Sequence, residues 1–171
     1  MAAALTIRQV HATEVELHRA IRFRALEDAP DAFGETLAQA LARDDAGWAA
    51  LHRSVTEPGP HAMFAAFHDA RAVGMVYALV DAGDPEAGRI GGMWVDPDAR
   101  GRGVGRALLS AAITWEEARG RARLALWAPA HSAWALRLYR SAGFIGTGER
   151  AAMPGRPALE ILRMLRTGGG A

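Results

Sequence analysis

Val95-Asp96-Pro97-Asp98-Ala99-Arg100-Gly101-Arg102-Gly103-Val104-Gly105-Arg106 joins two segments of different periodicity. Before it, Arg89 to Val95 is an apolar run that reads as a strand, and Asp96-Pro97-Asp98 ends it. After it, Val104, Ala107, Leu108, Ala111, Ala112 and Trp115 recur at helical spacing and form one apolar stripe, with Gly120 as the stop. Gly101, Gly103 and Gly105 let the backbone come close to a ligand and turn successive N–H groups into one concavity. The free N–H groups and positive dipole end of the following helix add to the same field. Arg100, Arg102 and Arg106 surround it with fixed positive charge. A strand, a glycine-rich loop and a helix in this order suit a pyrophosphate better than they suit a merely solvated basic loop.

Two other phosphate-binding patterns fail on residues. The dinucleotide fingerprint needs a glycine three positions after its second glycine, where Arg106 and Leu108 stand. The P-loop needs Gly-Lys-Ser/Thr, and all 20 basic residues of this chain are arginine. Net charge is +1, so the overall field favours neither nucleic acid nor an anionic membrane as a partner. The absence of cysteine excludes disulfides, thiolate zinc sites and a cysteine nucleophile. His11, His18, His52, His61 and His131 have no metal-ligand spacing, so they read as surface or packing residues and no metal is expected. No window approaches the roughly 20 apolar residues of a membrane span. The first residues carry no secretory pattern, so a cytoplasmic protein is expected.

Leu5 to Val10 reads as a strand and Thr13 to Glu27 as a helix that Ala29-Pro30-Asp31 breaks. A second helical region, in one or two pieces, runs from Glu35 to about Ser54 and stops at Glu57-Pro58-Gly59-Pro60. Ala62 to His68, Val73 to Val80 and Arg89 to Val95 form a β meander, with a long turn over 81–86. Arg123 to Ala128 is a strand, Ser132 to Ala142 a helix with a serine N-cap, and Phe144 to Glu149 and Leu159 to Leu165 are two last strands. At 171 residues, half of them hydrophobic, the chain fits one domain over 1–166 followed by a flexible tail, 167–171.

Arg100, Gly103 and Gly105 match the Arg/Gln-x-x-Gly-x-Gly/Ala motif of the GNAT superfamily of N-acetyltransferases, which the chain resembles. Ala135, Leu138, Tyr139, Gly143 and Phe144 match that family's second coenzyme A segment, about thirty residues on. The resemblance implies an α/β fold of layered α+β type. Its central sheet is mixed, mostly antiparallel and six- to seven-stranded, flanked by about four helices and splayed between strands 4 and 5. It implies acetyl-CoA as cosubstrate. Met93, Trp94 and Val95 would bind it through the backbone, Arg100, Gly101, Arg102, Gly103, Val104, Gly105 and Arg106 through the loop, and Ser132, Ala135 and Tyr139 from the last helix. Ser132 stands where the family has asparagine, and serine reaches less far.

The resemblance also places the Tyr139 hydroxyl near the coenzyme sulfur as the candidate general acid; packing on its helix face is the alternative role. With no cysteine, direct attack of an amine within a ternary complex is the simplest route. Gly91-Gly92 fits a bulge or a close backbone approach, and equally a strand that two glycines merely weaken. The family's strand-4 glutamate has no counterpart here, which leaves Glu86, His68 and Asp81 as base candidates. Trp48, Trp94, Trp127 and Trp134 are candidates either for an acceptor pocket or for the core.

The expected acceptor is a primary amine of a small molecule or peptide, held by the first helices and a loop near 149–157. The acidic residues from Glu27 to Asp45 either attract a cationic amine or form a solvated surface. A homodimer stays open. So do a noncatalytic acyl-CoA-binding module, which would keep the loop without turnover, and a general nucleotide-binding protein; Tyr139 favours the enzyme over both.

Overall fold

A computed structural model describes residues 4–168 apart from residue 57. Residues 1–3 and 169–171, and Glu57 of the expected helix stop, therefore lie outside the described residues. The elements in chain order are β1 (Leu5–Gln9), α1 (Val15–Asp28), α2 (Leu37–Ala42), α3 (Asp45–Thr56), β2 (Ala62–His68), β3 (Arg71–Asp81), β4 (Asp84–Val95), α4 (Val104–Glu117), β5 (Arg123–Pro129), α5 (Ala133–Ser141), β6 (Ile145–Met153) and β7 (Arg156–Thr167). The second helical region divides into α2 and α3 because each half has its own cap. Thr36 and Gln39 form a capping box at α2, and the Asp44 carboxylate accepts from Gly47 N at 2.8 Å at the start of α3.

The strands form one seven-stranded mixed sheet, as expected, and their order is β1-β2-β3-β4-β5-β7-β6. Every neighbouring pair is antiparallel except β4 and β5. Helices cover both faces, which is why β2 is apolar throughout rather than alternating. Ala62, Phe64 and Ala66 face the layer of α4 and α5, while Met63, Ala65 and Phe67 face α1, α2 and α3.

Several boundaries differ from the sequence reading, β3 among them, which begins at Arg71. β4 begins at Asp84, since the β3–β4 turn is only Ala82-Gly83; Pro85 sits near the strand's start, where a missing N–H does least harm. The stretch 149–157 is not a loop but the end of β6, a tight turn at Pro154-Gly155 and the start of β7. β7 also runs through Thr167, which pairs with Arg123.

The functional cleft begins at the one parallel pair. Only Gly88 with Leu124 and Arg89 with Ala125 are in register; beyond them β4 and β5 diverge. At this fork a Cβ on Gly88 would lie 2.7 Å from both the Glu116 carboxyl and Leu124 Cδ2, so a glycine is needed for the close approach. Glu116 is fully buried and ion-paired with Arg121. Burial pushes its carboxyl above the usual range against the pull of that guanidinium.

Candidate active site

The exit of β4 is pinned before the loop begins. Asp96 is buried, its carboxylate accepts from Asp98 N at 3.0 Å, and it pairs with Arg24 and Arg71. Burial pushes this carboxyl up, but the Asp98 N–H and the two guanidiniums outweigh it and hold the group below its ordinary value. A single 3-10 turn, Pro97–Ala99, leads into the loop. Gly101 and Gly103 have φ of +74° and +81°, a region L side chains rarely enter, and Gly103 hands the chain to α4. A Cβ at either position would meet nothing within 4 Å, so the space in front of the loop is open.

Ala107 N donates to Gly103 O at 3.0 Å as the first bond of α4, which leaves the amides of 104–106 without intrahelical acceptors. Arg102 and Arg106 are exposed and, among the described residues, pair with no carboxylate. Their charge and the helix N-terminus make an uncompensated anion site. Arg100 is placed differently from the sequence expectation. Its Nε donates to Val95 O at 3.1 Å and its guanidinium pairs with Asp28, which also accepts from Trp94 Nε1 at 2.9 Å. Val104 is buried in the core, and a Cβ on Gly105 would lie 3.1 Å from Trp134. Both therefore face a ligand through the backbone alone.

Between the diverging strands lies a cleft of about 640 Å³. Of the expected ligand-binding residues, Met93, Trp94, Val95, Arg100, Ser132, Ala135 and Tyr139 line it. Gly101 to Gly105 do not; they sit beyond Arg100, and Arg106 lines a separate groove of about 410 Å³ with Leu138 and Arg166. The expected bulge is present: Tyr77 pairs with Gly91 and Met75 with Trp94, so Gly92 and Met93 stand opposite Val76 alone. Gly92 takes φ of +60°, and residues 91–94 line the cleft along the bulge.

Tyr139 is 6% exposed, its ring meets Phe144 edge-on, and its hydroxyl has no hydrogen-bond partner among the described residues. Burial alone pushes that hydroxyl above its usual value, so it stays protonated at neutral pH. Ser132 caps α5, its Oγ accepting from Ala135 N at 3.3 Å, which leaves its O–H free to donate into the cleft.

None of the base candidates reaches the cleft. Asp81 is tied to Gly83 N, Glu86 is an exposed residue of β4 rather than of a turn, and His68 ends β2. Of the acidic segment, Asp28 and Asp31 line the cleft, and His131, which the sequence placed at the surface or in packing, lines it as well. The acidic segment is largely neutralised by arginine: Asp28 pairs with Arg100, Asp31 with Arg156, Glu35 with Arg22 and Arg43, and Asp45 with Arg19. Trp127 and Trp134 line the cleft, Trp94 lines it while packed in the core, and Trp48 is core alone. Among the described residues no three histidine or carboxylate groups come together as a metal site.

With this geometry in place, comparison with known proteins is direct. The model of the acetyltransferase (GNAT) family matches residues 18–144, and the chain belongs to that family. It is 29% identical over 140 residues, 81% of its length and 44% of the relative's, to a mycothiol acetyltransferase of Beutenbergia cavernae. The first curated relatives it matches are spanned over only 24% to 44% of their own length. In structure it is similar to a GNAT-family acetyltransferase of Streptococcus pneumoniae, with a TM-score of 0.79, 18% identity and coverage of 97% of this chain and 100% of that one. A putative acetyltransferase of Salmonella typhimurium, solved with its cofactor acetyl-CoA, gives a TM-score of 0.78 at 19% identity, covering 98% and 96% of the two chains.

Proposed function

We propose that the chain is an acetyl-CoA-dependent N-acetyltransferase, acting in the cytoplasm, that acetylates a primary amine of a small molecule or peptide by direct transfer. The observation that carries this reading is the cleft at the fork of β4 and β5, which has the Gly92 bulge on one wall, Tyr139 on another and the Arg100–Arg106 loop beyond its rim. The loop fits a pyrophosphate because its front is open and Arg102 and Arg106 pair with no carboxylate among the described residues. The bulge amides are suited to polarising an acyl oxygen. Acetyl-CoA supplies the thioester; the amine nitrogen bonds to the acetyl carbon as the carbon–sulfur bond breaks. The sulfur leaves as thiolate and takes up a proton, with the Tyr139 hydroxyl as the donor facing it, and the nitrogen gives up one proton to water. Among the described residues the cleft carboxylates, Asp28 and Asp31, are both held in ion pairs with arginine, which suits an acceptor amine that enters uncharged.

The pairing of Asp28 and Asp31 with arginines removes the net negative field that would select a polycation. A single neutral amine beside apolar walls, the rings of Trp94, Trp127 and Trp134 among them, is the acceptor this cleft suits. Initial rates with both substrates varied test the direct route: intersecting double-reciprocal lines are expected. Parallel lines, with acetylated protein recovered in the absence of acceptor, would replace it by a covalent intermediate.

A further inference from the structure

Behind the Gly92 bulge, on the face covered by α1 and α3, three side chains far apart in sequence form a hydrogen-bond chain that the acetyl-transfer reading does not use. Tyr77 Oη lies 2.6 Å from His18 Nε2, His18 Nδ1 lies 3.2 Å from His52 Nδ1, and His52 Nε2 lies 3.0 Å from the His11 carbonyl oxygen. His18 and His52 are 0% and 1% exposed.

The direction of the chain follows from its end. A carbonyl only accepts, so His52 carries its hydrogen on Nε2 and its Nδ1 accepts. His18 then donates from Nδ1 and accepts at Nε2, and the Tyr77 hydroxyl is the donor to it. Both imidazoles are neutral in this arrangement. Burial, aided by His52, Arg22 and Arg43, holds His18 down at about 3, in keeping with a neutral ring. The far end of the chain meets the cleft wall. An ideal Cβ on Gly92 would lie 2.2 and 2.4 Å from Tyr77 Cδ2 and Cε2, so the phenol ring fills the side-chain space of the bulge glycine.

We propose that Tyr77, fixed by the one-way chain through His18 and His52, is a positioning residue that sets the Gly92 bulge and so aims the β4 amides into the cleft. The kinetic consequence rests on the acetyl-transfer reading; the geometric one does not. An amide that polarises a developing oxyanion loses effect steeply with small displacements, so a loosened bulge acts on turnover more than on binding.

Tyr77→Phe keeps the ring and removes the anchor; His18→Gln keeps an acceptor for the hydroxyl and serves as the conservative variant. In amide-resolved NMR of the free protein, Tyr77→Phe should shift or broaden the signals of Gly91, Gly92 and Met93 and leave those of Val104 to Arg106 in place, with His18→Gln close to wild type. With acetyl-CoA and an accepted amine, kcat should fall roughly 10- to 100-fold in Tyr77→Phe while KM for acetyl-CoA stays within about threefold. A folded Tyr77→Phe with unmoved bulge amides overturns the proposal, and so does wild-type kcat in that variant. A wild type with no transfer to any amine would overturn the acetyl-transfer reading instead, and the amide signals would still decide the role of Tyr77.

Discussion

Phenylalanine at position 139 keeps the ring that meets Phe144 edge-on, with centroids 6.1 Å apart, and removes only the hydroxyl. Packing of α5 should therefore survive in Tyr139→Phe. If the hydroxyl serves the departing sulfur, the saturated rate falls by roughly 100- to 10,000-fold while the dissociation constant of acetyl-CoA stays near wild type. Measuring both constants on the same folded variant checks this; a rate within about threefold of wild type makes Tyr139 a packing residue. The tyrosine was legible because it lies in a motif, whereas periodicity alone gave it only a buried helix face. Arg100 shows the opposite case. Its motif position was plain, yet its partner Asp28 lies 72 residues away, and no local pattern announces that ion pair.

At the scale of the element, the loop and α4 were the most readable part of the chain, because glycine spacing and an apolar stripe are local signals. The β4–β5 fork was readable only by family resemblance, since register between distant strands leaves no mark in either one. Pro85 and the glycines around Gly146 and Gly155 hid strand ends that pairing later recovered. Tyr77, His18 and His52 were unreadable as a group, being 59 and 34 residues apart. The loop carries its own prediction. Gly103→Ala places a methyl group in open space at a positive φ, so it should cost about 1 kcal/mol of stability and weaken acetyl-CoA binding modestly. Gly103→Glu adds a carboxylate to the anion site and should abolish the rise in melting temperature that acetyl-CoA gives the wild type. Thermal shifts on both variants separate strain from charge; an undiminished shift in folded Gly103→Glu places the coenzyme elsewhere.

For the whole molecule, the buried histidine chain ties stability to acid. His18 titrates at about 3 when folded against an ordinary 6.5. Above pH 6.5 it is neutral in both states and the shift has no effect. As pH falls below 6.5 the unfolded chain takes up a proton that the folded one refuses. Stability should then drop by about 1.4 kcal/mol per pH unit, toward a limit near pH 3. Glu14, held at about 2 by its hydrogen bond to Arg8, adds to the loss below about 4.5, because only its charged form is favoured in the fold. Denaturant unfolding from pH 7 to pH 5 should show the slope, and His18→Gln should flatten it; a wild type flat over that range contradicts a buried His18 that stays neutral. The molecule as a whole is a GNAT fold opened at one fork. The most direct measurement is thiol release from acetyl-CoA across a panel of primary amines, with the acetylated amine quantified by mass spectrometry in the same samples. N-acetylation by this chain requires at least one amine that gains one acetyl group for each thiol released, at a rate well above hydrolysis. Acetyl-CoA binding with no amine-dependent thiol release anywhere in the panel would contradict it.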